Sequence, residues 1–163
     1  MNDLRNLRTG LGMDVHAFAP GRKLILGGVD IPHHQGLDGH SDADVLAHAI
    51  SDALLGAVRG GDIGKLFPDT DPAYKDADSL KLLAEVARFV RERGFEIIDV
   101  DSVIAAQAPK LSPYREQMRE NLARAMGLPV ENVGVKATTT EHLGHEGREE
   151  GITAYATCLV CRI

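Results

Sequence analysis

The chain has 163 residues and a mass of 17.6 kDa, which lies within the roughly 100–200 residues usual for one domain. Hydrophobic residues make up 44% of it, enough for a core, so intrinsic disorder is excluded. Its apolar runs are far shorter than the ~18 residues of a membrane-spanning helix. The net charge of −6 comes without any block of Lys or Arg, so the basic surface typical of nucleic-acid binding is missing. We therefore predict a single domain, residues 1–163, with no nucleic-acid or membrane partner.

The two ends of the chain indicate its compartment. Met1–Gly10 is polar and lacks the apolar stretch of a secretory signal, so we expect a cytoplasmic protein. Cys158 and Cys161 are too few for a disulfide framework, and three positions apart on a strand they would face opposite sides of the sheet. We interpret both as reduced packing residues.

Hydrophobic patterning predicts the elements in chain order. Apolar alternation predicts strands at Leu11–Phe18, Leu24–Leu26, Val29–Pro32, Ile97–Gln107, Val133–Thr138 and Ile152–Val160, with Gly27-Gly28 as a hairpin turn. Helical periodicity predicts Asp42–Val58 with Ser41 as N-cap, Leu80–Arg93 ended by Gly94, and a third helix from Pro113 to Gly127. Gly60–Gly64 ends the first helix and opens a long loop through Pro72, which is a site candidate. This order predicts an α+β fold, a mixed β-sheet with helices packed on one face.

The first helix carries a narrow polar stripe. At about 100° per residue, one side of it holds Ser41, Asp44, His48, Ser51 and Asp52. The stripe is either the solvated side of an amphipathic helix or the edge of a functional site.

The sequence Asp14-Val15-His16 favours a functional site. Period-two geometry sends the side chains of Asp14 and His16 to the same face of the first strand. His48, one turn from Asp44, is a suitable third ligand. One carboxylate and two imidazoles suit zinc with an open fourth position, which is typical of catalytic sites. Taken alone, the motif is also compatible with ordinary strand pairing.

Two later segments have the composition of phosphate-binding strand ends. Ala106–Lys110 follows a predicted strand and precedes a helix, and Lys136–Glu141 ends another strand. Small residues, hydroxyls and a lysine at exposed strand ends bring backbone N–H groups and a cation to phosphates. The alternative is a polar strand end followed by a charged loop.

Together these motifs resemble those of the 2-C-methyl-D-erythritol 2,4-cyclodiphosphate synthases. The similar segments are Asp14–His16, His40–Val45 with His48, Asp52–Gly56, Gly61–Asp69, Ala106–Lys110 and Lys136–Glu141. They are collinear from about Leu11 to the C-terminus, which makes the resemblance specific. It implies a phosphorus–oxygen lyase of non-mevalonate isoprenoid biosynthesis, which converts 4-diphosphocytidyl-2-C-methyl-D-erythritol 2-phosphate into the cyclodiphosphate and CMP. It also implies a homotrimer with sites between subunits.

The resemblance also implies two metal ions. One zinc ion per subunit would be held by Asp14, His16 and His48. Glu141 would hold a second divalent cation, magnesium or manganese, together with the substrate. Asp14, His16 and Glu141 are therefore also expected to be substrate-binding residues.

The remaining roles concern the substrate and are likewise implied by the resemblance. His40 and Ser41 would contact its phosphates, and His40 and Thr139 would assist the transition state. The residues implied for the methylerythritol part are Asp62, Ile63, Gly64, Phe67, Asp69 and Asp71. Those implied for the cytidine diphosphate part are Ala106, Pro109, Lys110, Leu111, Ser112, Thr138 and Thr139. His145 and Arg148, expected near the central cavity of the trimer, complete the binding set.

Two other functions remain open at this point. A zinc phosphohydrolase could use Asp14, His16 and His48 to activate water, although the cytidine-type segments would then have no role. A trimeric binding module could use the same metal only to stabilise its structure, in which case it would bind metal and ligand without turnover.

Overall fold

A mixed five-stranded sheet organises the molecule, which a computed structural model describes for residues 4–163. The first three residues of the predicted domain and of the polar N-terminal stretch lie outside this range. The strands are β1 (Leu7–Ala19), β2 (Leu24–Leu26), β3 (Val29–Ile31), β4 (Gly36–Leu37), β5 (Phe95–Ala105), β6 (Val133–Thr138) and β7 (Gly151–Arg162). The main sheet has the order β4-β1-β7-β5-β6, with only β5 and β6 parallel, and β2 and β3 form a separate hairpin.

Helices cover one face of this sheet, as the sequence predicts. They are α1 (Val45–Ala57), α2 (Ile63–Leu66), α3 (Ser79–Glu92), α4 (Arg115–Met126) and α5 (Gly144–Gly147). The short α5 is the exception, because its His145 contacts Thr153 on the opposite face of β7. Cys158 is buried and Cys161 is partly exposed, and both are free thiols, as predicted. None of the helices in the described residues has the length and apolar character needed to cross a membrane.

Helix α1 lies at the centre of the core. Ten of its thirteen residues are buried, among them Leu46, Ile50 and Leu54. It packs against β1 and β7, and α3 packs on it in turn. The polar stripe is therefore not a solvated face, because the helix has almost no exposed surface.

The prediction that Ser41 caps the first helix is wrong. Ala43 has a left-handed backbone with φ of 57°, so helical geometry cannot pass through it, and α1 begins at Val45. Asp44 is the N-cap, and its carboxylate accepts from the Ala47 N–H at 3.1 Å. The same carboxylate accepts from the N–H groups of Gly27 and Gly28 at 2.9 and 2.8 Å, which ties the β2–β3 turn to α1. Burial, and then the nearby charge of Asp42, raises the pKa of Asp44 to about 6.

Several element ends differ from the predictions for local reasons. β1 begins at Leu7 because it pairs with β7 from the Leu7–Cys161 pair to the Ala17–Gly151 pair. β5 ends at Ala105, not Gln107, where its pairing with β6 also ends. α4 begins at Arg115 because a 3₁₀ turn occupies Ser112–Tyr114. The long loop before α3 contains α2 and a second 3₁₀ turn, both too short to produce a periodic pattern.

Candidate metal centre and substrate clefts

Three side chains converge where α1 crosses β1. Asp14 Oδ2 lies 2.9 Å from His16 Nε2 and 3.1 Å from His48 Nδ1, and the two ring nitrogens are 3.3 Å apart. Among the residues that the structure describes, this is the one group of His, Cys, Asp or Glu whose ligand atoms are close enough to hold a metal ion. The convergence predicted from the Asp14-Val15-His16 spacing and His48 is confirmed.

Two glycines on β1 allow this convergence. A Cβ atom on Gly12 would lie 1.9 Å from the carbonyl oxygen of Ala49, and one on Gly10 would lie 1.8 Å from that of Ala53. Only glycine therefore lets the backbone of α1 lie directly against β1. His48 precedes Ala49 in the helix, so this contact also brings His48 to the strand that carries Asp14.

Hydrogen bonds from the outer ring nitrogens orient both histidines. His16 Nδ1 is 2.6 Å from the carbonyl oxygen of Asp38, and a carbonyl only accepts, so this nitrogen carries the proton. His48 Nε2 is 2.8 Å from Ser79 Oγ and 3.3 Å from Ser41 Oγ. The inner nitrogens are then free to act as ligands, the arrangement found in most metal-binding histidines.

The electrostatics of the cluster also favour a cation. Burial alone raises the pKa of Asp14, but hydrogen bonds with His16 and His48 outweigh it and lower that pKa to about 2. Burial lowers the pKa of His16, and its hydrogen bond with Asp14 reverses the effect and raises it. The carboxylate is thus ionised at neutral pH. One ionised carboxylate and two imidazole nitrogens are a donor set that zinc accepts.

A cleft of about 350 Å³ opens beside the cluster, and we call it the metal-side cleft. Its lining contains His16, Gly39, His40, Ser41, His48, Ile63, Gly64, Phe67, Asp69, Tyr74 and Leu82. The structure therefore brings the histidine and serine before α1 together with the loop after it. Gly39, Tyr74 and Leu82 were missed from the sequence. The ring of Tyr74 packs edge-on against Phe67 at 5.3 Å between centroids, a contact that no local pattern predicts.

Two predicted residues of this loop, Asp62 and Asp71, are not among those that line the cleft. The Asp62 carboxylate caps α2, where it accepts from the Lys65 N–H at 2.9 Å. Asp71 caps the following 3₁₀ turn, and its carbonyl oxygen lies 3.1 Å from His40 Nε2. Their side chains shape the loop, and their predicted contacts with substrate stay predictions.

A second cleft of about 240 Å³ lies at the ends of β5 and β6, and we call it the strand-end cleft. Its lining contains Ala106, Gln107, Pro109, Lys110, Leu111, Ser112, Ala137, Thr138 and Thr139. All seven residues predicted for the cytidine diphosphate part are among them. Gln107, inside the predicted segment Ala106–Lys110, lines the cleft as well.

The sheet register fixes how the two clefts are related. Val15 pairs with Thr153, Thr153 with Ala105, and Ala105 with Thr138. One row of residues therefore runs from the metal cluster to the strand-end cleft across three strand spacings. At ~4.8 Å each, the two strand positions are about 14 Å apart within one chain.

Glu141, His145 and Arg148 also line neither cleft. Glu141 is exposed, with φ of 52°, and its N–H donates to Thr139 Oγ1 at 3.4 Å. His145 lies 2.9 Å from Thr153 Oγ1, and Arg148 pairs with Glu150. Their proposed roles are not tested by a single chain.

The rest of the polar stripe on α1 has structural contacts. Asp44 is the N-cap described above. The Ser51 hydroxyl donates to the Ala47 carbonyl at 2.8 Å, and Asp52 accepts from the Ile63 N–H at 2.8 Å. Only His48, with Ser41 before the helix, reaches the metal-side cleft.

Comparison with known proteins adds four findings. Residues 7–161 match the model of the YgbB family. A 2-C-methyl-D-erythritol 2,4-cyclodiphosphate synthase from Desulfitobacterium hafniense is 62% identical over 155 residues, which cover 94% of this chain and 98% of the relative. The bifunctional IspDF from Campylobacter jejuni is 46% identical with a TM-score of 0.93; the match covers 96% of this chain, which spans 42% of the bifunctional one. A 2C-methyl-D-erythritol-2,4-cyclodiphosphate synthase in a CDP-bound form is 39% identical with a TM-score of 0.86, over 94% of this chain and 99% of that one.

Proposed function

The chain belongs to the YgbB family, and from that premise we propose how its residues carry out the family's reaction. It is an enzyme, a phosphorus–oxygen lyase of non-mevalonate isoprenoid precursor biosynthesis. Its reaction converts 4-diphosphocytidyl-2-C-methyl-D-erythritol 2-phosphate into 2-C-methyl-D-erythritol 2,4-cyclodiphosphate and CMP.

Both reacting groups belong to the one substrate. An oxygen of its 2-phosphate bonds to the β-phosphorus of the diphosphate, and the bond from that phosphorus to the α–β bridging oxygen breaks. CMP leaves with the bridging oxygen, so neither water nor a protein nucleophile enters the reaction. The protein contributes positioning and charge stabilisation, and holding two reacting groups together is worth roughly 7–11 kcal/mol.

We assign zinc to the cluster of Asp14, His16 and His48, one ion per subunit. The three donors fit it because their inner atoms converge while the outer ring nitrogens of both histidines already have protein partners. With three protein ligands, such an ion would keep one ligand position for substrate, as in catalytic zinc sites. When bound, such an ion neutralises and orients phosphate oxygens. A second divalent cation, magnesium or manganese, is proposed at Glu141 with the substrate.

The metal-side cleft is proposed to hold the methylerythritol and its phosphates. His40 and Ser41 lie beside His48 in its wall, where an imidazole and a hydroxyl can donate to phosphate oxygens. Ile63, Gly64 and Phe67 also line this cleft, and their apolar surface fits the methyl group and carbon chain. His40 stabilises the charge that develops on the attacked phosphate.

The strand-end cleft is proposed to hold the cytidine diphosphate part. Small side chains at Ala106 and Ala137 leave space for a base, and Lys110 supplies a cation. Thr138 and Thr139 are exposed, and the Thr139 hydroxyl assists the transition state at the diphosphate. The alignment of a relative in a CDP-bound form with 94% of this chain supports this assignment.

We propose that three copies assemble with sites between them. The sheet face away from the helices exposes Leu11 by 73%, Met13 by 53% and Tyr155 by 42%, a large apolar patch for a lone chain. Within one chain the strand positions beside the two clefts, Val15 and Thr138, are about 14 Å apart, so a neighbouring copy can bring the complementary cleft closer. Sedimentation equilibrium should give about three times 17.6 kDa. A fully active monomer would refute the shared site.

The observation on which the proposal depends is the metal cluster beside the metal-side cleft, which His40 and Ser41 also line. The test is mass spectrometry of the products formed from the diphosphocytidyl substrate by zinc-loaded protein with magnesium. We expect the cyclodiphosphate and CMP, and His48→Ala should lose both bound zinc and nearly all turnover. An opened phosphomonoester would instead indicate a phosphohydrolase, and bound ligand without product would indicate a binding module. A cytoplasmic location, without nucleic-acid or membrane partners, stays a prediction.

A further inference from the structure

We propose that Ser79, supported by Asp42, is a positioning residue that holds His48 in the tautomer and orientation needed for metal binding. The proposal rests on the zinc site assigned above and concerns residues outside it. Ser79 is the first residue of α3, whereas His48 lies on α1. The metal ligand is thus fixed from an element that contributes no ligand itself.

The direction of the hydrogen bonds follows from what each group can donate. The Ser79 hydroxyl donates its one proton to Asp42 Oδ1, and the Ser79 N–H donates to Asp42 Oδ2 at 3.1 Å. A carboxylate only accepts, so Ser79 Oγ has no proton left for His48. It must accept from His48 Nε2, which lies 2.8 Å away. Nε2 of His48 therefore carries a proton, and Nδ1 is the atom that faces Asp14 and His16 and that a metal ion would bind.

Burial makes this contact difficult to replace. Ser79 is 1% exposed, and the side chain of His48 is 12% exposed, so little room remains for a water molecule to take over. Ser41 Oγ also lies near His48 Nε2, but at 3.3 Å, and it already accepts from the Ala43 N–H. Ser41 further lines the metal-side cleft, where substrate competes for its hydroxyl. Ser79 is the shorter and the better shielded partner.

Two backbone hydrogen bonds connect the metal centre to the wall of its cleft. The Asp42 N–H donates to the Ala77 carbonyl at 3.1 Å, and the Asp76 N–H donates to the His40 carbonyl at 2.8 Å. The loop that carries Phe67 and Tyr74 ends at Ser79, so the position of this loop and the orientation of His48 are set together.

The experiment measures zinc affinity by competition with a chromophoric chelator. We expect Ser79→Ala to bind zinc about 10- to 100-fold more weakly, the usual effect of removing a partner behind a metal ligand. Ser51→Ala is the matched control, because Ser51 is equally buried at 1% exposed and its hydroxyl contacts only the Ala47 carbonyl. Its affinity should stay within about twofold of the wild type, well below the effect of Ser79→Ala. Equal affinities for Ser79→Ala and the wild type would overturn the proposal.

Asp42→Asn tests the direction of the bonds without changing shape. An amide whose N–H faces the Ser79 hydroxyl frees the hydroxyl proton to turn toward His48, while its oxygen still accepts from the Ser79 N–H. Long-range ¹H–¹⁵N spectra of the metal-free proteins should show His48 protonated at Nε2 in the wild type and in Ser51→Ala. In Asp42→Asn and Ser79→Ala the Nε2 proton should be lost, so that His48 is protonated at Nδ1 alone. A Nε2 proton in all four proteins would refute the positioning role.

The two readouts separate this inference from the zinc assignment. If the wild type binds no zinc, the assigned metal site is wrong, and the tautomer of His48 still decides whether Ser79 controls it. If the wild type binds zinc and Ser79→Ala does so equally well, only the positioning role is wrong. If Ser79→Ala fails to fold, Asp42→Asn replaces it in both the zinc-affinity measurement and the ¹H–¹⁵N spectra.

Discussion

Replacing Gly12 with alanine should separate β1 from α1 and disrupt both the core and the metal centre. The new Cβ would lie 1.9 Å from the Ala49 carbonyl oxygen and 2.6 Å from the Ala53 nitrogen. Both atoms are backbone, so no side-chain rotation relieves the contact. An ordinary carbon–oxygen contact is about 3.3 Å, and α1 would have to retreat by roughly 1.4 Å to restore it.

The effect of this displacement on the free energy of unfolding can be estimated. A gap of 0.5–1 Å already removes roughly a quarter to a half of the dispersion attraction between facing atoms, and ten residues of α1 are buried. Overpacking typically costs about 1–3 kcal/mol and sometimes more. Since the clash here is with rigid helix backbone, we expect Gly12→Ala to lower the free energy of unfolding by about 3 kcal/mol or more. The Asp14–His48 contact, now 3.1 Å, should widen, so zinc affinity should fall as well.

Gly56→Ala is the matched control on the same pair of elements. A Cβ at Gly56 meets nothing within 4 Å, and alanine is favoured over glycine in a helix by about 0.5–1 kcal/mol. Urea unfolding followed by far-UV circular dichroism measures both variants, with equal m-values required for a direct comparison. The reasoning fails if the free energy of unfolding of Gly12→Ala is within about 0.5 kcal/mol of the wild-type value, the range of neutral surface changes.

Three further changes should each have a separate signature. Asp44→Ala removes a helix cap worth about 1 kcal/mol and leaves the N–H groups of Gly27 and Gly28 without their acceptor. The free energy of unfolding measured with urea should therefore fall by about 3 kcal/mol. A fall below about 1 kcal/mol would mean that another acceptor replaces the carboxylate. Chelation of zinc should lower the free energy of unfolding by about 4 kcal/mol relative to protein in free zinc at ~1,000 times the Kd, and an unchanged melting temperature would argue against a resident ion. Glu141→Gln should leave zinc content intact while raising the magnesium needed for half-maximal rate and lowering turnover; superimposable magnesium titrations would remove Glu141 from the site.

The ligand cluster could be predicted because most of it is local in sequence. Asp14 and His16 share a face through strand periodicity alone, and His48 lies on a helix whose periodicity is clear. The partners that orient these ligands could not be predicted in the same way. Asp38 contributes a backbone carbonyl, and Ser79 is 31 residues from His48. Both contacts depend on how distant segments pack.

The start of α1 could not be predicted from the sequence either. Ser41 and Asp44 are both residue types that cap helices, and the sequence does not reveal that Ala43 has a left-handed backbone. The choice of Asp44 depends on the β2–β3 turn, whose two N–H groups the same carboxylate binds. Most strand interiors needed no such information, since alternation or a short apolar run marks them directly.

The burial of α1 restricts how sequences with this fold can diverge. Apart from its ten buried residues, the helix has only His48, Asp52 and Gly56, which are spaced four apart on one side. His48 belongs to the metal centre, and Asp52 accepts from the Ile63 N–H at the start of α2. Neutral drift along this helix is therefore confined to position 56 and to exchanges of buried residues that conserve volume. Substitutions that accumulate freely over time should be found in α3 and α4, whose outer faces are exposed.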